Sequence, residues 1–407
     1  MTGQSDPVSG VIDWLTEQTI QDASLEVLIE GVCTRLWASG VPVWRFSGSF
    51  PTLHPLYIGT SMIWQRGASI AVRTHAHGDS ATSAWRDSPL RFVTEHGLPF
   101  LRRRLEGDTA RLDFPVLRDV RELGGTDYAL FHVVFPGADM IREGLDGVYA
   151  SFATDAKGGF GDDDLRALGQ VFRSLAVACK MAISRGITRN ILAAYLGPGA
   201  GERVLAGSIQ RGDCTAIRAA IWYSDLRDST PLAAQLSPAD FLRALNCYFE
   251  STAGAVLAQG GEVLRFVGDA VLGIFPVSAS NGGEADACKR AVATVREAER
   301  RLSELNDRRA ADSSPPLSYG VGLHVGEVLF GNIGIPERLE FSVIGPAANE
   351  VARLESLTKT LGAAALFSGE FVRHLDLPWR PLGRHAPRGV GREMEVFALP
   401  DGAGGSS

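Results

Sequence analysis

The chain has 407 residues, more than one ordinary hydrophobic core accommodates, so two domains of roughly 150 to 200 residues are expected. Its 40 Lys plus Arg stand against 47 Asp plus Glu, and a net charge of −7 leaves no basic footprint for nucleic acid, which is disfavoured as a partner. No 18 apolar residues run together and no basic start leads into an apolar stretch, which predicts a cytoplasmic protein without an integral membrane segment.

In chain order, Leu25, Leu28, Ile29, Val32 and Leu36 repeat at helical spacing and stop at Gly40, after which Val41 to Phe46 reads as a strand. Further strands are predicted at Pro55 to Trp64, Asp127 to Phe135 and Gly147 to Thr154, separated by turns such as Gly124-Gly125 and Lys157-Gly-Gly159. From Asp162 a long helical pattern runs through Leu165, Leu168, Val171, Phe172, Leu175 and Ala178, continuing with an interruption near Gly186 as far as Leu196. Gly197-Pro198-Gly199-Ala200-Gly201 then breaks the helix. The expected division is a first domain at 1–180, a helical linker at 181–215 and a second domain at 216–402.

Ile217 to Tyr223 reads as a buried strand with Asp225 at its exit. Ser237-Pro-Ala-Asp240 then has the pattern of a helix start: serine as cap, proline in the first turn, an acid at the third position. The helix carries Phe241, Leu242, Leu245, Tyr248 and Phe249 on one face and ends at Gly260-Gly261. Val263 to Val267 and Ala270 to Phe275 are strand-like runs joined only by Gly268-Asp269, a hairpin signal that puts Asp269 at the tip. An isolated turn aspartate is usually only that; paired with Asp225 at another strand end it becomes a candidate ligand for divalent metal. Phe341-Ser-Val-Ile-Gly-Pro leads from a strand into a helix whose Asn349 and Arg353 lie four apart, hence on one face.

Trp222-Tyr-Ser-Asp-Leu-Arg-Asp-Ser-Thr230, Leu264-Arg-Phe-Val-Gly-Asp269, Val321-Gly-Leu-His-Val-Gly326 and Phe341-Ser-Val-Ile-Gly-Pro-Ala-Ala-Asn-Glu-Val-Ala-Arg353 occur in an order that resembles the class III nucleotide cyclases. The resemblance implies a ferredoxin-like (βαββαβ) α+β catalytic domain that converts ATP to 3′,5′-cyclic AMP and pyrophosphate. It implies two Mg²⁺ or Mn²⁺ ions on Asp225 and Asp269, with the Leu226 carbonyl as a further ligand. Asn349 would position the ribose and Arg353 would stabilise charge in the transition state. Arg265 and Ser342 would contact the base, where the family's adenylyl cyclases usually carry lysine and aspartate or threonine. Arg388 would hold the terminal phosphates. Because the family divides these residues between two catalytic domains and this chain has each once, a head-to-tail homodimer is implied.

Guanylyl cyclases of the family favour glutamate and cysteine at the two base positions, and Arg265 cannot accept from guanine, so ATP is the expected substrate. A guanylate cyclase, or a catalytically weak nucleotide-binding regulatory protein of the same fold, are the alternatives. The diguanylate cyclases expect Gly-Gly-Asp/Glu-Glu-Phe at the hairpin, which Val267-Gly-Asp-Ala-Val271 does not supply. The first half resembles a GAF-like α+β domain with an antiparallel sheet, on its helix, sheet and exit helix and on Gly125-Thr-Asp-Tyr128 and Phe152-Ala-Thr-Asp155-x-x-Gly-Gly-Phe160. A sensor for an unknown small-molecule or protein signal and a purely dimerising module are its two readings.

Several residues are set aside. His324 reads as a packed histidine, His75 and His77 lack further ligands nearby, and Arg102-Arg103-Arg104 reads as a helix surface rather than a polyanion site. The five cysteines, odd in number and never spaced Cys-x-x-Cys, read as buried thiols in a reducing compartment.

Overall fold

The computed structural model describes residues 7–77, 83–135, 147–278, 280, 282–386 and 393–400. The chain divides into two compact α+β units, Met1–Ala194 and Tyr195–Ser407. The first contains α1 (Pro7–Ile20), α2 (Leu25–Ala38), β1 (Arg45–Pro51), β2 (Tyr57–Gln65), β3 (Ala71–Ala76), α3 (Ser83–Arg86), α4 (Pro89–Glu95), β4 (Phe100–Arg104), α5 (Pro115–Glu122), β5 (Asp127–Val134) and β6 (Gly147–Thr154), followed by the long α6 (Asp162–Leu196).

Its six strands pair antiparallel in the order β3-β2-β1-β6-β5-β4. One face packs Phe46 and Phe152 against Leu15, Ile29, Val32, Leu168 and Val171 of α1, α2 and α6. The other packs Trp44, Tyr128 and Tyr149 against Val93, Leu117 and Val120 of α4 and α5. With both faces covered, β6 is buried at every residue and has no polar alternation.

Three expectations change here. The strand expected from Val41 begins only at Arg45; α6 passes Gly186 without a break; and Arg102-Arg103-Arg104 lie on β4, at the sheet edge, not on a helix. Three consecutive charges carry no period, so strand and helix could not be told apart there.

The second unit contains α7 (Pro198–Leu205), β7 (Cys214–Leu226), α8 (Ser229–Gln235), α9 (Pro238–Ala258), β8 (Glu262–Val267), β9 (Ala270–Pro276), α10 (Gly283–Ala311), β10 (Tyr319–Ile335), β11 (Arg338–Ile344), α11 (Pro346–Leu361), β12 (Ala365–Ser368), α12 (Gly369–Val372), β13 (Arg380–His385) and β14 (Met394–Ala398). The run β7-α9-β8-β9-α10-β10 folds with its strands in the order β10-β7-β9-β8; β12, β14 and β13 extend the sheet beyond β10, and β11 pairs with β10 as a hairpin. The β10–β12 pair is parallel and the others antiparallel, so the sheet is mixed.

Period-two alternation sends Ala220 and Trp222 of β7 into the core under α9 and α10, and Ala219 and Ile221 into the core on the opposite face. Ser237 caps α9 by accepting from the Asp240 N–H at 3.2 Å, with Pro238 in the first turn. Of the apolar face expected on α9, Leu242 is exposed and Ala244 is buried instead.

The placement of α11 rests on missing side chains. Gly320, Gly322 and Gly326 lie on one face of β10, and a Cβ on Gly322 would stand 2.6 Å from the Val351 carbonyl and 2.8 Å from the Glu355 nitrogen. A Cβ on Gly326 would strike Ala347, and one on Gly320 would stand 2.6 Å from Glu355 Oε1. The helix backbone therefore lies directly on the strand. Gly345, at φ +146°, makes the entry turn, and Gly362, at φ +63°, ends the helix.

Candidate active site

Asp225 is the penultimate residue of β7, and the ladder places it opposite Ala270 on β9 and Gly320 on β10. Ala270 directly follows the two-residue turn of the β8–β9 hairpin, so Asp269 at its tip meets Asp225. Gly268 takes φ +65°, a conformation suited to glycine at that turn position. The two carboxylates lie close enough for each to feel the other, and the Leu226 N–H favours the charged form of Asp225. Burial, then the charge of Asp269, raise the Asp225 pKa above the usual carboxylate range; Lys359 and the Leu226 N–H oppose this.

Two neighbouring acids, one of them half-buried, form a hard-oxygen pair with an unmet demand for positive charge. That donor set fits Mg²⁺ or Mn²⁺. Among the described residues no group of three His, Cys, Asp or Glu could hold a metal, so the remaining ligands would be backbone, water or substrate oxygens.

Glu355 and Lys359, which the motifs did not single out, stand behind this pair. Glu355 is buried on α11 against Gly320, the ladder partner of Asp225, and its hydroxyl neighbour Thr358 donates to it at 3.3 Å. Burial first, and Asp225 second, push its pKa up to about 7. Its signal in the sequence is spacing: it lies four residues before Lys359, on the face that covers the strands.

Asn349 and Arg353 occupy a different side of α11. Two residues of helix turn by about 200°, so Arg353 points away when Glu355 points inward. Both Asn349 and Arg353 are exposed, and among the described residues no hydrogen bond or ion pair joins either to the aspartates. The structure thus brings Asp225 and Asp269 together and leaves Asn349 and Arg353 facing outward.

At the base-contact positions, Arg265 on β8 forms an ion pair with Glu340 on β11, Nε to Oε1 2.8 Å, with both side chains about half exposed. Glu340 and Ser342 are two apart on β11 and share a face, and Ser342 is buried. Arg265 and Ser342 are therefore neighbours through Glu340, a carboxylate that sequence reading missed because its partner is on a distant strand. Arg388 lies outside the described residues.

His324 is buried, its Nδ1 2.8 Å from Ser368 Oγ and its Nε2 3.1 Å from Glu350, tying α11 to β10 and β12. His75 bonds Ser61 at 2.9 Å, and His77 bonds the His54 carbonyl at 3.0 Å. Of the cysteines, Cys33, Cys179 and Cys288 are buried, Cys247 is half-buried and Cys214 is exposed, against the expectation that all are interior. No helix among the described residues is long and apolar enough to cross a membrane.

Comparison with known proteins gives the same region a family. Residues 215–365 match the adenylate and guanylate cyclase catalytic domain. An adenylate cyclase of Anabaena cylindrica is 30% identical over 175 residues, covering 42% of this chain and 33% of that protein. Adenylate cyclase 1 of Rhizobium meliloti (strain 1021) is 28% identical over 180 residues, covering 44% and 26%. The matched stretch thus spans a quarter to a third of these relatives' length. Among solved structures, a bacterial light-regulated adenylyl cyclase is similar over 54% of this chain and 63% of its own, at 24% identity and a TM-score of 0.47. Residues 215–365 carry a class III adenylate and guanylate cyclase catalytic domain, behind an N-terminal α+β region.

Proposed function

We propose that the chain is an adenylate cyclase, forming 3′,5′-cyclic AMP and pyrophosphate from ATP, active as a homodimer and regulated through a GAF-like N-terminal unit. The observation that carries this reading is the meeting of Asp225 and Asp269, where the charge of Lys359 only partly offsets the repulsion felt by Asp225. Divalent ions held there would acidify the ribose 3′-hydroxyl and neutralise the leaving pyrophosphate. The chain's own part is to aim both carboxylates at one point from a strand end and a tight turn, and to hold Asp225 half out of water. A guanidinium is suited to steady charge on the reacting phosphorus, and an amide to orient the ribose. Arg353 and Asn349 face away from their own aspartates, which supports a site completed by a second copy.

Guanylate cyclase is the second reading, and Glu340 favours it. Arg265 offers only donors, but the Glu340 carboxylate beside it accepts hydrogen bonds, and guanine presents a donor edge. The deciding experiment incubates the purified protein with Mn²⁺ and either ATP or GTP, alongside an Asp269→Ala control. Cyclic AMP as the main product, lost in the control, is the expected result. Cyclic GMP as the main product selects the second reading, and no cyclic product from a folded dimer leaves only a nucleotide-binding regulatory protein.

A further inference from the structure

The three arginines in a row on β4 take no part in the proposed reaction. With Thr109 and Arg111 they line a cavity of about 280 Å³ at the free edge of the N-terminal sheet. Two of the four arginines already have carboxylate partners: Arg102 with Asp127 (2.7 Å) and also the Phe160 carbonyl (2.6 Å), Arg103 with both oxygens of Asp113 (3.1 and 2.8 Å). Arg104 gives one N–H to the Gly158 carbonyl, and its Nε is 3.9 Å from Asp127, whose oxygens already have other donors. Arg111 makes no side-chain hydrogen bond or ion pair among the described residues; only its field reaches Asp113.

Four cations therefore face two carboxylates, Asp113 and Asp127. Glu106 does not fill the deficit, since it turns to the Gly158 N–H at 3.2 Å, and neither it nor Asp108 lines the cavity. The backbone brings two of the arginines together: the Arg111 N–H donates to the Arg104 carbonyl at 2.9 Å, closing the intervening loop with both residues at its neck. On an antiparallel strand a residue's N–H and C=O point to the same side, so the Arg104 N–H also faces the open edge.

We propose that this cavity binds a multiply charged oxyanion, the phosphate group of a small molecule or inorganic phosphate itself. Guanidinium forks match phosphate oxygens in geometry and charge, and the Thr109 hydroxyl adds a donor. A volume near the lower end of ligand pockets, about 300 Å³, suits a phosphate with a small body. The proposal is independent of the cyclase reading.

Titration calorimetry on the full-length chain tests it, in EDTA and at constant ionic strength, with inorganic phosphate and, separately, glycerol 3-phosphate. EDTA silences any phosphate binding that depends on divalent ions at Asp225 and Asp269. Saturable binding at one per chain is expected, at least about ten-fold weaker in Arg104→Ala and in Arg111→Ala and unchanged in Asp269→Asn. Tighter binding of the ester assigns the site to a phosphorylated metabolite, and equal binding assigns it to phosphate. Heats no larger than those of sodium chloride overturn the proposal, as does binding that survives both arginine variants or disappears in Asp269→Asn. Thermal unfolding confirms that the variants fold, and Arg111→Lys, which keeps the charge without the fork, retains part of the affinity.

Discussion

Asp127 in the first unit and Asp225 in the second are both strand aspartates, and their surroundings are opposite. Asp127 is fully buried and receives Arg102 through Nε and Nη2, the Tyr128 N–H at 3.0 Å and the Phe160 N–H at 3.1 Å. Gly159 packs so closely that a Cβ there would stand 2.6 Å from it. Asp225 is half-buried, and its nearest charged neighbour is another acid. The chain supplies every partner of the first carboxylate and leaves the second in deficit. A buried acid with its cation in place organises a fold; a half-buried acid facing an acid keeps an uncompensated demand for positive charge.

Reversing the two aspartates is the strongest way to break this contrast. Asp127→Ala strands Arg102 and is expected to lower unfolding free energy by about 3–5 kcal/mol, read from denaturant midpoints. Asp225→Asn removes a repulsion, so stability holds or rises, while cyclic-nucleotide formation falls about 10³-fold or more, equivalent to about 4 kcal/mol. Equal destabilisation by both substitutions would erase the distinction.

A smaller effect is expected from Arg353→Ala: turnover about a hundred-fold lower with little change in KM, measured by steady-state kinetics. An equal loss in ground-state affinity would instead make Arg353 a binding residue.

Glu355 sharpens the comparison through pH. With a folded pKa of about 7 against an ordinary value of 4.5, the folded protein holds more protons than the unfolded chain between those limits. Stability from this group therefore falls as pH rises from about 4.5 to 7, by up to about 3 kcal/mol. Glu355→Gln should flatten that decline in a series of thermal melts across the window; an unchanged slope would place the titration elsewhere.

The smallest expected effect is at Glu340. Glu340→Gln exchanges an acceptor pair for one acceptor and one donor group and should shift the ATP-to-GTP preference several-fold, measured as a ratio of kcat/KM, with the fold intact.

What the sequence made legible was local. Turn chemistry at Gly268-Asp269 and the cap at Ser237-Pro238 depend on adjacent residues, and both elements stand where they were expected. The meeting of Asp225 with Asp269 could be anticipated because one sits at a strand end and the other on a hairpin tip. Glu340 stayed invisible, since its partner Arg265 comes from a separate strand of the sheet. Glu355 offered only its spacing from Lys359: its character comes from burial against a glycine, and burial is a property of the packed helix. The edge position of Arg102 to Arg104 needed the strand order of the whole sheet.

The glycines of β10 have a mechanical consequence. With no strand side chain at Gly322 to separate it from the α11 backbone, and with His324 tied to Glu350 beside it, α11 and β10 pack with little room for displacement. Asn349 and Arg353 ride on that helix. Their outward aim is thus set by the sheet, and a single methyl group at Gly322 would tilt both without touching either.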